Sequence, residues 1–225
     1  MERTLEPELM DTPEEADGYD AMDHSGPNTA FVERLIELGA HGRMLDIGTG
    51  PGHMPLLVCD RVADAHVVGV DLARHMLAHA ERRLAASPHG GRVEFQLADA
   101  KGLDFPDHSF DVVFSNTILH HIPDPRPFLR EAHRVLRPGG VFLVRDLFRP
   151  ADAAAALALV QNYAADETPY NQELFRASLH AALTPEELRA MAGELGLDDL
   201  ELVLDTDRHM SLQRHATAHA DSKPG

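Results

Sequence analysis

The segment M-L-D-I-G-T-G-P-G at residues 44–52 constrains the fold of this chain more than any other. An apolar run leads to an aspartate, a turn with three glycines follows, and the next residues have the composition of a helix. Glycines let the backbone turn tightly and approach a ligand, and a helix N-terminus offers unpaired N–H groups to an anionic group. The segment therefore predicts a parallel α/β sheet whose nucleotide-type cofactor is bound by Asp46, Gly48, Thr49, Gly50 and Gly52.

Three further apolar runs each lead to a polar residue at the same edge of the expected sheet. The runs are 66–70, 92–98 and 110–116, and they lead to Asp71, Asp99 and Asn116. An acidic side chain at the tip of the second strand can accept hydrogen bonds from both hydroxyls of a ribose. We therefore expect Asp71 to bind the ribose of the cofactor.

The spacing of the glycines indicates which cofactor is bound. The dinucleotide fingerprint is G-x-G-x-x-G, whereas this chain has G-x-G-x-G, with His53 in place of the third glycine. With the four strand endings and the segment L-R-E-A-H-R-V-L-R-P-G-G-V-F-L-V at 129–144, residues 28–148 resemble a class I S-adenosylmethionine (SAM)-dependent methyltransferase. The type most resembled is methyltransferase 11, which includes the ubiquinone and menaquinone biosynthesis enzymes. An NAD-dependent oxidoreductase on the same fold and a non-catalytic SAM- or metabolite-binding module remain as alternatives.

The resemblance implies a Rossmann-like, doubly wound α/β sheet. The sheet is expected to be mostly parallel, with an antiparallel last strand and a helical cap inserted after the fifth strand. The expected parts are an N-terminal lid segment at 1–27, a methyltransferase domain at 28–215 with its cap at about 150–183, and a loose tail at 216–225. Asn28 is expected to cap the first helix of the domain. Residues 10–27 and 150–180 are expected to close over the strand tips and form the acceptor pocket.

The resemblance also assigns roles to the cofactor residues, with SAM as the cofactor. Asp71, with Leu72 beside it, repeats the ribose-binding arrangement of the family. Asp99 is expected to recognise the adenine amino group, and Ala100 to add a backbone contact. Asp46 is expected either to orient the glycine turn or to reach the methionine amine through water. Asn116 completes the expected set after the fourth strand.

Catalysis requires little covalent machinery, because the sulfonium of SAM is already an activated electrophile. The protein must hold the acceptor in line with the methyl–sulfur bond and, for some acceptors, remove a proton. The best candidates for a proton acceptor or substrate orienter are His120 and His121, followed by Tyr19 and His209. Other polar candidates on the converging segments are Thr117, Arg145, Asp146, Tyr163, Tyr170, Asn171, Asp23, His24, Asp205, Asp207 and Arg208. The run 205–209 also fits a plain solvated hairpin turn.

No metal is expected from the sequence. The 15 histidines are scattered, and neither an H-E-x-x-H motif nor a Cys/His ligand spacing is present. The magnesium-dependent arrangement of catechol-type methyltransferases would need an aspartate where Asn116 stands.

The composition indicates a small-molecule acceptor. A formal net charge of −17 over 225 residues, with no stripe of lysine and arginine, argues against binding a nucleic-acid backbone. The segment N-T-I-L that begins at Asn116 also departs from the N/D-P-P-Y/W pattern of enzymes that methylate amino groups of DNA, RNA or protein.

The remaining expectations concern the cellular setting. The single cysteine, Cys59, cannot form an internal disulfide and is expected to be buried on the first helix after the glycine turn. No apolar run is long enough to span a bilayer, and the acidic N-terminal sequence has no signal-peptide core. We therefore expect a cytoplasmic protein without membrane contact. The oligomeric state is open, and a homodimer is one option.

Overall fold

The computed structural model describes residues 1–6, 11–20 and 25–217. The helices of these residues are α1 (Pro13–Asp20), α2 (Ser25–Glu37), α3 (His53–Arg61), α4 (Arg74–Ala85), α5 (Arg126–Val135), α6 (Ala153–Tyr163), α7 (Pro169–Ala181) and α8 (Pro185–Glu194). The strands are β1 (Arg43–Ile47), β2 (His66–Asp71), β3 (Val93–Leu97), β4 (Phe110–Asn116), β5 (Leu136–Leu147), β6 (Glu201–Leu204) and β7 (His209–Arg214). A single 3-10 turn at Leu119–His121 follows β4.

The strands form one seven-stranded sheet in the order β3-β2-β1-β4-β5-β7-β6. Strands β1 to β5 pair in parallel, whereas β7 lies antiparallel between β5 and β6. After β1, strands β2 and β3 are added on one side of β1, and β4 and β5 are then added on its other side. Ligands of open α/β sheets bind at such a switch point, outside the carboxyl ends of the strands. The predicted Rossmann-like fold with its antiparallel last strand is confirmed.

Helices cover both faces of the sheet, because successive strand residues point to opposite sides. On one face, Met44 of β1 packs with Phe31 of α2 and Val58 of α3. On the other face, Leu45 packs in a cluster with Phe128 of α5. Cys59 is buried in the first of these clusters, as expected. Both layers hold the ends of β1, β2 and β4 in fixed positions.

One local prediction was wrong. Helix α2 begins at Ser25, so Asn28 lies inside the helix rather than at its N-cap; Pro27 fits there because the first turn of a helix needs no N–H donor.

The helical cap after β5 consists of two helices, α6 and α7. The break occurs because the Thr168 side chain accepts a hydrogen bond from the Asn171 N–H at 3.2 Å and begins a new helix.

The ends of the chain differ in part from expectation. At the start of the expected tail, the Ala216 N–H donates to the Leu38 carbonyl at 2.8 Å, and the Thr217 N–H donates to the Gly139 carbonyl at 3.0 Å. These two residues are therefore tied to the fold, while 218–225 lie outside the described residues. None of the helices in the described part of the chain is long and apolar enough to cross a membrane.

Candidate active site

The glycine turn after β1 is tied to the neighbouring strand and to its terminal aspartate. The N–H groups of Gly48 and Thr49 donate to the Val70 carbonyl at 2.8 and 3.0 Å. The Gly50 N–H donates to Asp71 Oδ2 at 2.7 Å. The turn and the tip of β2 therefore form one unit.

The three glycines of the turn have positive φ angles, of 77° at Gly48, 54° at Gly50 and 78° at Gly52, but different surroundings. A Cβ on Gly48 would collide with Ile118, and one on Gly52 would lie 2.8 Å from both Ala80 and Phe95. A Cβ on Gly50 would meet no protein atom within 4 Å. Gly48 and Gly52 thus serve packing within the protein, whereas Gly50 faces open space.

That open space is a cleft at the carboxyl ends of β1, β2 and β4. It contains every predicted cofactor residue except Gly52, namely Asp46, Gly48, Thr49, Gly50, Asp71, Leu72, Asp99, Ala100 and Asn116. Gly52 begins α3 behind the turn instead. Two of the four catalytic candidates, Tyr19 and His121, also line the cleft. His120 and His209 are not among its lining residues.

A buried carboxyl group, Asp46, and a partly buried one, Asp71, form the polar floor of the cleft. Asp71 accepts hydrogen bonds from the Gly50 and Ala73 N–H groups, at 2.7 and 2.8 Å; burial nevertheless raises its pKa. Asp46 is 2% exposed and accepts a hydrogen bond from Thr49 Oγ1 at 2.7 Å. Burial raises the pKa of Asp46 to about 7, and the charge of Asp71 adds to this shift. The floor therefore favours a positively charged ligand group.

We expect Asp46 to make cofactor affinity dependent on pH. A cationic ligand favours the ionised carboxylate, so binding near neutral pH releases a proton, and affinity rises with pH. The pKa of Asp46 is about 7 in the free protein and should fall well below 6 when a cationic ligand binds. SAM affinity should then increase about tenfold between pH 6 and pH 8. Calorimetric titration at pH 6, 7 and 8 measures this change. Asp46→Asn is the control, since the amine of SAM titrates alike with both proteins; an equal pH dependence in both would contradict the assignment.

The opposite wall carries the residues expected to face an adenine. Asp99 Oδ1 accepts from the Lys101 N–H at 2.9 Å and lies 3.0 Å from Lys101 Nζ. Burial acts to raise the pKa of Asp99, but these contacts with Lys101 outweigh it and lower the pKa. Leu72 is 39% exposed and, with Ala100, supplies apolar surface to the cleft. The charged and apolar groups needed to hold a purine are thus on one wall.

The tip of β4 carries a strained residue. Thr117 has a φ of 60°, which is uncommon for a β-branched residue and clusters at functional sites. Its hydroxyl donates to the Asn116 carbonyl at 2.7 Å, and its side chain is also hydrogen-bonded to Tyr19. Burial raises the pKa of Tyr19. Helix α1 therefore reaches the cleft through Tyr19.

Ion pairs hold α1 in this position. Asp20 accepts from Arg83 Nη2 at 2.7 Å and lies 3.1 Å from His79 Nδ1 and 3.4 Å from His53 Nε2. These partners belong to α3 and α4, so α1 packs beside the glycine turn. The lid role of this segment stays a prediction; residues 7–10 and 21–24, including Asp23 and His24, are outside the described residues.

Removing the Asp20 carboxylate should loosen α1. A partly exposed network of this kind contributes about 1 kcal/mol, so Asp20→Ala should raise the opening of α1 and the SAM dissociation rate about fivefold. Hydrogen exchange of residues 13–20 and stopped-flow displacement of SAM measure the two effects. Glu33→Ala, which removes a surface partner 3.4 Å from Arg61, is the matched control. Equal exchange in Asp20→Ala and wild type would show that the ion pairs do not hold the helix.

The two consecutive histidines have different positions. His120 is 4% exposed; its Nδ1 donates to Asp146 Oδ1 at 2.6 Å and its backbone N–H to Asp146 Oδ2 at 3.1 Å. Burial acts to lower the pKa of His120, but the charge and hydrogen bond of Asp146 outweigh it and raise the pKa. His121 lines the cleft, and its Nδ1 lies 3.0 Å from Glu6 Oε1. His120 thus stands behind His121, buried against the sheet.

The last strands place the remaining candidates away from the cleft. Burial and the charges of Arg145 and Arg208 lower the pKa of His209 to about 4, so this imidazole is neutral and a weak base near neutral pH. The Arg208 guanidinium lies 3.4 Å from the Tyr163 ring centroid, and the Tyr163 hydroxyl donates to Asp207 at 2.7 Å. Within 150–183, all of which is described, no residue lines the cleft. The cap, with Tyr163, Tyr170 and Asn171, instead packs at the end of β5 through Leu147.

Several cleft residues were missed by sequence reasoning. Met76 lines the cleft from α4 and Ile118 lines it from the turn after β4; each is an apolar residue close to a predicted site residue, and that closeness was a usable signal. Glu6 is different. It reaches the histidine pair from the N-terminal segment, and no spacing in the sequence indicates this contact.

The architecture and the cleft together define a nucleotide-cofactor enzyme of the open α/β class. Comparison with known proteins shows which family within this class the chain belongs to. The family model described as "Methyltransferase domain" matches residues 45–144. The chain is 39% identical over 121 residues to the 27-O-demethylrifamycin SV methyltransferase of Amycolatopsis mediterranei, covering 52% of this chain and 44% of that protein. It is 33% identical over 184 residues to the demethylmenaquinone methyltransferase of Thermus thermophilus, covering 76% and 82%.

A solved structure agrees. The phosphoethanolamine N-methyltransferase 2 of Haemonchus contortus, solved in complex with S-adenosyl-L-methionine, superposes with a TM-score of 0.68 at 25% identity, covering 87% of this chain and 44% of that one. The chain spans about half the length of several curated relatives that it matches. It belongs to the SAM-dependent methyltransferase family, and S-adenosylmethionine is the cofactor of that family.

Proposed function

We propose that this protein transfers a methyl group from SAM to a small-molecule acceptor. The observation that carries the proposal is the unit formed by the glycine turn and Asp71 at the switch point of the sheet. The methyl-transferring activities named for the relatives support it, since those proteins act on rifamycin- and menaquinone-type compounds. The strong negative charge of the chain favours an acceptor other than nucleic acid.

The residues of the cleft fit this cofactor. Gly50 leaves open the space that a side chain would fill. Each carboxylate oxygen of Asp71 accepts one hydrogen bond from a backbone N–H. Each oxygen has a second lone pair, which can accept a hydrogen bond from a ribose hydroxyl. The buried Asp46 carboxyl offers a counter-charge for an ammonium or sulfonium group. Asp99 and Leu72 would hold the adenine.

The chain's contribution to the reaction is positioning. Bound SAM supplies an electrophilic methyl group. Tyr19 and Thr117 are hydrogen-bonded to each other at the tip of β4, so they fix one wall of the cleft beside Asn116. His121 presents an imidazole to the same cleft and can orient an acceptor or hold its proton. His120 is a positioning residue: Asp146 holds it by a hydrogen bond, and it lies behind His121. His209, with a pKa of about 4, is a weak base and does not line the cleft.

Methyl transfer from radiolabelled SAM to a metabolite extract tests the function. The expected result is a labelled small molecule that forms with the wild-type protein and not with Asp71→Ala. Binding of SAM without any labelled product from several extracts would favour a non-catalytic binding module instead. Binding of NADH in place of SAM would favour the oxidoreductase.

Location and assembly remain predictions. A cytoplasmic setting rests on the single buried thiol, Cys59, which is compatible with a reducing compartment. A homodimer remains open, and size-exclusion chromatography with light scattering measures it directly.

A further inference from the structure

Three electron-pair donors converge where the N-terminal segment meets the turn after β4. Glu6 Oε1 lies 3.4 Å from His120 Nε2 and 3.0 Å from His121 Nδ1. Donor atoms of all three residues lie within 4.8 Å of one another. The two imidazole rings are in contact, with centroids 4.2 Å apart and planes inclined by 35°.

The two separations from the glutamate oxygen match those of a tetrahedral metal site, and the two histidine nitrogens lie within 4.8 Å of each other. With metal–nitrogen and metal–oxygen bonds of about 2.0–2.1 Å, two ligands of a tetrahedral ion stand ~3.3 Å apart. The two measured separations from the glutamate oxygen, 3.4 and 3.0 Å, lie on either side of this value. Small side-chain adjustments would therefore bring the donors around one ion.

A carboxylate behind the site orients one ligand. Asp146 accepts from His120 Nδ1 at 2.6 Å, so Nε2 is the nitrogen that faces Glu6. A carboxylate that holds the second nitrogen of a ligating histidine is a recurrent feature of protein metal sites. Asp146, which orients His120, lies in β5, whereas both histidines lie in the turn after β4.

The local charge also favours a cation. Glu6 and Asp146 have side chains that are 12% and 1% exposed. Arg3 is the nearby cation, but it donates to the carbonyls of Ala181, Pro123 and Ile122 at 2.6, 3.0 and 3.0 Å. Ser178 gives Glu6 only long hydrogen bonds of 3.4 Å. Asp146 also accepts hydrogen bonds from the backbone N–H groups of His120 and Leu147, whereas the described partners of Glu6 within 3.5 Å are the two imidazoles and the Ser178 hydroxyl.

We propose that Glu6, His120 and His121 bind a divalent transition-metal ion, with Asp146 orienting His120. Two nitrogen donors and one carboxylate favour zinc, cobalt or nickel over magnesium and calcium, which prefer all-oxygen ligands. The proposal departs from the expectation of no metal, because the third ligand lies far away in the sequence. It also differs from a magnesium site at Asn116.

The site borders the cofactor cleft through His121. An ion there can accept a hydroxyl, thiol or amine of the acceptor as a further ligand and favour its deprotonated form. This role rests on the proposed function. Metal binding itself does not depend on the proposed function. A protein that binds zinc but transfers no methyl group is therefore distinguishable from one that transfers a methyl group but binds no zinc.

Zinc binding by the full-length protein tests the proposal. After treatment with EDTA and its removal, Zn²⁺ is titrated in competition with a chromophoric chelator, and Co²⁺ is added separately for its visible spectrum. We expect one equivalent of Zn²⁺ to bind at least tenfold more tightly to wild type than to Glu6→Gln or His121→Gln. Co²⁺ should give the intense bands of a four- or five-coordinate site. His41→Ala, which removes an exposed histidine bonded only to the Gly39 carbonyl, controls for adventitious surface binding.

Each outcome decides the proposal. Equal zinc affinity in wild type and both ligand variants would overturn it, as would only the weak bands of octahedral Co²⁺. Circular dichroism in EDTA checks that Glu6→Gln folds. If neither ligand variant folds, the wild-type Co²⁺ spectrum and zinc stoichiometry alone confirm or refute the site.

Discussion

Asp146→Ala is expected to lower the free energy of unfolding by about 3–5 kcal/mol, the cost of leaving a buried charge partner unpaired. The side chain is 1% exposed, and its two oxygens accept from His120 Nδ1, the His120 N–H and the Leu147 N–H at 2.6, 3.1 and 2.6 Å. The substitution would remove all three hydrogen bonds and leave His120 buried without its counter-charge. Because small domains are stable by only about 5–15 kcal/mol, this loss is a large part of the total.

Urea unfolding in the presence of EDTA measures this effect without any contribution from bound metal. Glu173→Ala is the control, since it removes a carboxylate that pairs with Arg176 at the surface. Its cost should stay below about 1 kcal/mol, as for other exposed pairs. A loss of less than 1 kcal/mol for Asp146→Ala would show that the buried pair does not anchor the turn after β4.

Asp71→Ala is expected to weaken SAM binding by an order of magnitude or more. A hydrogen bond to a charged group contributes about 1.5–3 kcal/mol, and the carboxylate is proposed to accept from the ribose. It also holds the Gly50 N–H at 2.7 Å, so its removal frees the turn that approaches the ligand. Both effects act in the same direction.

Two variants separate these contributions. Asp71→Asn keeps one acceptor oxygen, so its SAM affinity should lie between those of wild type and Asp71→Ala. Asp64→Ala removes an exposed carboxylate from the loop before β2 and should leave affinity unchanged, which excludes a general effect of net charge. An unchanged dissociation constant in Asp71→Ala would refute the ribose assignment.

The sheet and the cofactor wall could be predicted because their signals are local. The start of β1 and the whole of β4 were placed correctly, since each is an apolar run with a clear polar end. Asp46, Asp71 and Asp99 came together in one cleft because the carboxyl ends of parallel strands share an edge.

Other features depend on long-range packing, and the sequence did not indicate them. Gly52 belongs to the glycine turn, yet its contacts are Ala80 and Phe95, which only the folded chain brings near. The left-handed backbone at Thr117 has no signature in its residue type. Glu6 reaches the two histidines because long-range contacts, among them the hydrogen bonds of Arg3 to Ile122 and of Thr4 to His180, hold the N-terminal segment beside the turn after β4.

The start of β5 shows a third kind of difference. The R-P-G-G segment has the composition of a turn, but β5 already begins at Leu136. Its pairing with β4 shifts between Phe110 and Val112, so the segment forms an irregularity within the strand. A Cβ on Gly140 would clash with the Leu136 side chain and with backbone carbonyls, which is why this irregularity needs glycine.

Calorimetric titration of the wild-type protein with SAM and, separately, with NADH tests the central claim most directly. The account predicts saturable binding of SAM with one site per chain and no measurable heat from NADH. Saturable binding of NADH with no binding of SAM would contradict it.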